Sequence, residues 1–167
     1  MPEARITHPP APLQEIENVD EKQQELVKRL AGSTPRSEIK KDPNGLDYVT
    51  ARYVMNTLDS IVGPGNWSDS YQVMRVMDRN DGTEKWVVEC TITVFGVSKT
   101  DVGIGESRLS QKGKLFGEPE KTAYSNALKR AGVKWGIARD LYGDGLPESE
   151  QDLSLIHISE PTRQAEI

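Results

Sequence analysis

The feature that most narrows the folds open to this chain is a change of hydrophobic period. Ala51, Val54, Met55, Leu58, Ile61 and Val62 recur at the three-and-four spacing of an amphipathic helix. From Lys85 to Phe95 the period drops to two. Trp86, Val88, Cys90, Ile92 and Val94 then share one face, and Val87, Glu89, Thr91, Thr93 and Phe95 share the other. Beyond Pro119 the helical period returns, with Tyr124, Ala127, Leu128, Ala131 and Trp135 on one stripe. A chain that switches in this way needs an antiparallel sheet with helices laid on one of its faces.

Turn signals set the boundaries. Asp47 or Thr50 caps the helix that starts near Ala51, and Gly63-Pro64-Gly65 ends it. Trp67 to Met77 reads as a strand, and Asp81-Gly82 as the turn into the strand from Lys85 to Phe95. Phe95-Gly96-Val97 reverses the chain into a third strand, Ser98 to Ile104, completing a meander. Gly103 to Gly117 is glycine-rich and basic and reads as a loop. Pro119 suits the first position of the last helix, which runs to Trp135. Upstream, Leu26, Val27 and Leu30, preceded by Ile16 and Val19, predict another helix. Asp20 and Gln23 form its expected capping box, and Gly32 and Pro35 its stop. Ile39-Lys40-Lys41 is a short strand in the polar stretch that follows. The expected order is helix, helix, three strands, helix, in the α+β class. The expected division is a flexible segment over 1–19, one folded domain over 20–146 and an unstructured tail over 147–167.

Charge is unevenly spread. The chain carries a formal charge of -5 overall, but Arg108 to Leu141 holds eight basic residues against three acidic ones, a local +5. Asp144, Glu148, Glu150 and Asp152 then reverse the sign. Screening makes this local excess, not the sum, what a polyanion meets at close range. No stretch approaches the roughly 18 apolar residues of a membrane span. The N-terminus lacks the apolar region of a secretory signal, and the single cysteine, Cys90, has no internal partner, so the expected location is the cytoplasm.

The search for catalytic chemistry returns little. His8 lies in the Pro-rich N-terminus, and His157 in a segment whose origin is in question. That segment, Leu153 to Arg163 (LSLIHISEPTR), resembles a reading-frame translation of a transposase-based sequencing adapter, continued by QAEI. The natural chain is therefore expected to diverge beyond about Asp152. No metal-ligand spacing is present. Gly103-Ile104-Gly105 lacks the P-loop lysine and the third glycine of a dinucleotide fingerprint, and reads as a strand end with a turn. Asp140 and Asp144 read as solvated surface rather than as a carboxylate pair. The expectation is a protein that is not an enzyme and uses no cofactor or metal.

The remaining signal is cationic. Lys121, Ser125 and Lys129 form a polar stripe beside Asn126 and Arg130, with Lys134 one turn on. Such a stripe suits successive phosphates, and it equally suits a solvated helix face; spacing does not decide. Tyr48, Tyr53 and Trp67 are candidates to stack on bases, although Trp67, like Trp135, fits a core position.

Three stretches together resemble a known family. They are LDYVTARYVMNTLDSIVGPGNW from Leu46, FGVSKTDVGIG from Phe95, and KTAYSNALKRAGVKWGIARDLY from Lys121. In this order they resemble the opening helix, last strand and signature helix of the Rad52/22 family of single-strand DNA annealing proteins. The Gly-Ile-x-Arg-x-Leu-Tyr ending is most similar to the bacterial DdrA-like and phage Sak-like branches. The resemblance spans about Glu25 to Tyr142.

It implies a protein of recombination and double-strand-break repair, working in a bacterial cell or phage-infected host. Such a protein forms homo-oligomeric rings, binds single-stranded DNA along a basic groove and anneals complementary strands without ATP. The same resemblance allows a protein that protects 3′ ends without annealing, and less readily a nuclease or a protein-interaction module. By position, Lys129 and Arg130 match the phosphate-contacting pair and Tyr48 an aromatic at the groove. Lys40 and Lys41 fall beside a basic contact, and Lys112 and Lys114 lie in the loop of an outer DNA site. Arg52, Lys121 and Lys134 complete the expected DNA-binding set. The match departs at Val133 and Asp42, where basic residues are expected. A single-strand-binding protein or a recombinase is the expected partner of the natural C-terminus.

Overall fold

The computed structural model describes residues 13–143. The N-terminal residues through Pro12, the acidic run from Asp144 and the adapter-like tail lie outside them. The first element, α1 (Leu13–Leu30), begins before the expected capping box, so Asp20 and Gln23 sit within the helix rather than at its start. A single 3₁₀ turn over Arg36–Glu38 leads to a two-stranded ribbon, β1 (Lys40–Lys41) and β2 (Asp47–Tyr48). α2 (Ala51–Ile61) follows, with Thr50 as its cap: the Thr50 hydroxyl accepts from the Tyr53 N–H at 3.2 Å. Asp47, the other candidate cap, is instead part of β2.

The central sheet is an antiparallel meander of β3 (Trp67–Asp78), β4 (Glu84–Val94) and β5 (Val97–Glu106), in the order β3-β4-β5. Its alternation is that of the sequence. Val88, Cys90, Ile92 and Val94 are all fully buried, and Trp86 packs at their margin. Asp81 organises the first turn by accepting from the Thr83 N–H and hydroxyl at 2.9 and 2.6 Å. The second turn needs only Phe95 and Gly96, both at positive φ (48° and 79°), the geometry whose twist matches a tight hairpin. β3 carries an irregularity between Val73 and Arg75, and Met74 falls there.

The stretch from Gly103 to Gly117, expected to be a loop, is mostly strand. β5 continues through Glu106, and a small ribbon of β6 (Arg108–Leu109) and β7 (Leu115–Phe116) follows. Gly103 and Gly105 have a packing role. A Cβ on Gly103 would lie 2.0 Å from the Ala127 nitrogen, and one on Gly105 1.9 Å from the Pro119 carbonyl oxygen. α3 (Pro119–Lys134) therefore rests directly on strand backbone.

The core lies between this helix, α2 and the inner face of the sheet. Val54 and Leu58 belong to one buried cluster with Ala123, Ala127, Leu128 and Ala131, and Trp135 donates its indole N–H to the Ile92 carbonyl at 3.2 Å. A short α4 (Arg139–Gly143) closes the chain. Its Asp140 is a clamp: it accepts from the Thr34 N–H at 2.8 Å and the Thr34 hydroxyl at 2.6 Å, tying α4 to the segment after α1. Among the described residues, no helix is long and apolar enough to cross a membrane.

Candidate nucleic-acid interface

The β1–β2 ribbon is built by its turn. Asp42 accepts from the N–H groups of Asn44 and Leu46 at 2.8 and 2.9 Å, and Gly45 supplies the positive φ of 81°. Asp42 thus has a backbone-organising task at the position where a basic residue was expected. The register sets Lys40 opposite Tyr48 and Lys41 opposite Asp47, and the second pair forms an exposed ion pair at 2.7 Å.

Tyr48 is the meeting point of this ribbon with α3. The Lys129 ammonium stands over its ring, 5.4 Å from the centroid, within the roughly 6 Å at which a cation gains from a ring face. Lys129 is half-buried, and burial pulls its pKa below the ordinary 10.5. No carboxylate pairs with it among the described residues. A desolvated charge is normally matched by an opposite one, so this cation is suited to receive an anion. Arg52 is exposed in the first turn of α2, four residues after Tyr48.

The other expected residues are dispersed. Arg130 turns to the sheet, where its Nε meets Asp101 Oδ1 at 3.3 Å, each side chain about a fifth exposed (18% and 21%). Lys121 pairs with Glu118 at 3.3 Å near the start of α3. Lys134, at the end of α3, donates to the Thr100 carbonyl. Lys112 and Lys114 are exposed in the β6–β7 ribbon. The structure thus gathers Lys129, Tyr48 and Lys40, and sends Arg130 and Lys134 to the β5 side of the helix.

One cation was missed by the sequence reading. Lys99 lies 4.6 Å from the Trp135 ring centroid and donates to the Lys134 carbonyl at 3.1 Å. Its signal was present: Lys99 pairs with Ile92 in register and so occupies the inner face of β5, an unusual place for a lysine. Cys90 is a core residue; burial pushes its thiol up to about 12, which leaves no thiolate for nucleophilic work. No cluster of three or more His, Cys, Asp or Glu suited to a metal ion occurs among the described residues.

Comparison with known proteins agrees with the resemblance read from the three motifs. A family model described as Rad52/22 family double-strand break repair protein matches residues 14–155. The single-stranded DNA-binding protein DdrA of Deinococcus deserti is 38% identical over 97 residues, covering 58% of this chain and 41% of that protein. DdrA of Deinococcus radiodurans is 34% identical over 97 residues, covering 58% of this chain and 40% of that protein. The chain thus spans about two fifths of the length of these relatives. With the family model running from α1 past the end of α4, the chain belongs to the Rad52/22 family of double-strand break repair proteins.

Proposed function

We propose that this protein binds single-stranded DNA and promotes the pairing of complementary strands, without ATP or metal, as a homo-oligomeric ring. The observation that carries the reading is the half-buried Lys129 ammonium, unpaired with any acid among the described residues and set over Tyr48 beside Lys40. A phosphate entering there supplies the missing anion, and Tyr48 offers a flat surface next to it. In this reading Lys40 and Arg52 extend the path along the ribbon and the start of α2. Arg130 acts as a positioning residue, anchoring α3 to β5 through Asp101. Annealing requires phosphate repulsion to be cancelled while base edges stay free, and a site made of cationic side chains and one aromatic ring meets that requirement.

The DdrA relatives are named for single-strand binding alone, which supports a second reading: a coat over 3′ ends that never pairs strands. Two measurements decide. In a salt series, single-stranded DNA is expected to bind more tightly than duplex, with log affinity falling by about 0.7 per log unit of salt for each phosphate held. Complementary labelled oligonucleotides are then mixed with the protein. Faster pairing supports annealing, unchanged pairing with nuclease protection supports end-coating, and a flat salt dependence overturns both.

A further inference from the structure

The last turn of α3 gathers three cations. Lys99 reaches it from β5 and donates to the Lys134 carbonyl at 3.1 Å. Arg139 folds back from the start of α4, and its Nη2 donates to the same oxygen at 3.0 Å. Nη2 and Nε of Arg139 also donate to the Val133 carbonyl, at 2.9 and 3.2 Å. Lys134 itself crosses to the carbonyl of Thr100, the residue after Lys99. Two cations thus share one carbonyl oxygen, with a third beside them.

No carboxylate offsets their repulsion. None of the three pairs with an acid among the described residues. The acids that flank them in sequence are committed elsewhere, Asp101 to Arg130 and Asp140 to Thr34. A helix C-terminus attracts cations, but it is equivalent to only about half a negative charge. Three unit charges therefore exceed what capping α3 can use by about two and a half. Donors are left over as well. Lys99 and Lys134 each spend one of three ammonium hydrogens, and Nη1 of Arg139 has no protein acceptor. Lys134 and Arg139 are exposed, so a ligand reaches them from solvent.

The size of the excess selects the anion. A phosphodiester carries one charge. A phosphate monoester carries about 1.5 to 2 at neutral pH and offers three accepting oxygens. An unmodified DNA strand has that group only at a terminus.

We propose that Lys99, Lys134 and Arg139 hold a phosphate monoester, the terminal phosphate of a DNA strand. This deepens the single-strand binding proposed above and rests on it. Lys129 lies five residues before Lys134, about 7.5 Å along the axis of α3. It faces Tyr48, whereas Lys134 faces β5. A strand seated at Lys129 can therefore lay its end over the last turn of the helix.

Fluorescence anisotropy tests the seat with one short oligonucleotide in three forms: unphosphorylated, 5′-phosphorylated and 3′-phosphorylated. Exposed ion pairs are individually weak, so a gain of about fivefold is expected for at least one phosphorylated form. The form that gains identifies the end. A methyl phosphate at that end, with a single charge, should lose the gain. Inorganic phosphate should erase it too, at an ionic strength held constant with chloride, while the unphosphorylated strand stays bound. Lys99→Met keeps the stem over Trp135, and Arg139→Gln changes an exposed position. With the fold checked by circular dichroism, each should abolish the gain and alter affinity for the unphosphorylated strand by less than about twofold. Equal affinity for all three forms overturns the proposal, even where inorganic phosphate binds, and leaves strand binding at Lys129 standing. A gain that survives both variants also overturns it and gives the three cations to capping α3 alone. Failure to bind any form overturns this seat and the reading beneath it together.

Discussion

A lysine ammonium withheld from water destabilises a fold unless an anion joins it, and Lys129 is withheld in this way. Lys129→Met keeps the length of the stem and removes the charge. Single-strand affinity is expected to fall at least tenfold, while stability in urea stays the same or rises by up to about 1 kcal/mol. A comparable loss of stability would show that the ammonium holds the fold and not a ligand. Lys129 also predicts a pH dependence. Its pKa in the free protein lies below 10.5, and a bound phosphate favours the charged form, so affinity should weaken as pH rises through that lowered value. Lys129→Arg stays charged, and its affinity should be flatter over the same range. Asp140 works in the opposite sense. Burial pushes its pKa up, but the two Thr34 hydrogen bonds outweigh this and hold it below 3.8. Its stabilising contribution is full above the unfolded value and is lost as pH falls through the lowered one. Asp140→Asn should cost about 1 kcal/mol at neutral pH and flatten the acid limb of the stability curve below pH 4.

At the level of elements, α3 lying on bare strand backbone gives the sharpest expectation. Gly103→Ala places a methyl 2.0 Å from the Ala127 nitrogen, so the helix must lift off the sheet. The expected cost is at least about 3 kcal/mol by denaturant unfolding. Gly82→Ala meets nothing within 4 Å and strains only its φ of 85°, so about 1 kcal/mol is expected there. These glycines also show why part of the fold was legible and part was not. β4 announced itself because one face is wholly buried and the alternation is unbroken. The end of β5 looked like a loop because glycines carry no side chain to alternate. Ile39-Lys40-Lys41 was read as a short strand, and β1 lies there, but its partner β2 and both strands of β6–β7 have two residues each, too short for any period, and α4 is a single turn. The site was half legible. The sequence supplied Lys129, Tyr48 and Lys40 as residue types, but not the turning of Arg130 to Asp101, a contact between α3 and β5 across 29 residues.

For the whole molecule, a chain of formal charge -5 is proposed to bind a polyanion, so the placement of charge must outweigh its sum. One copy brings few phosphate contacts. In the proposed ring, contacts add along one strand, so affinity should be higher and the salt slope steeper at protein concentrations where copies are assembled than after dilution to single copies. The seat of Lys129 over Tyr48 has one more consequence. The lysine comes from α3 and the ring from β2, and only the finished tertiary structure makes them neighbours. An incomplete or unfolded chain offers no such seat, so under the function proposed above single-stranded DNA is a ligand of the native state alone. By mass action a strand at a hundred times its dissociation constant then adds about 2.7 kcal/mol to the unfolding free energy. Where single strands accumulate, the molecules that survive heat or proteolysis should be the ones already on DNA.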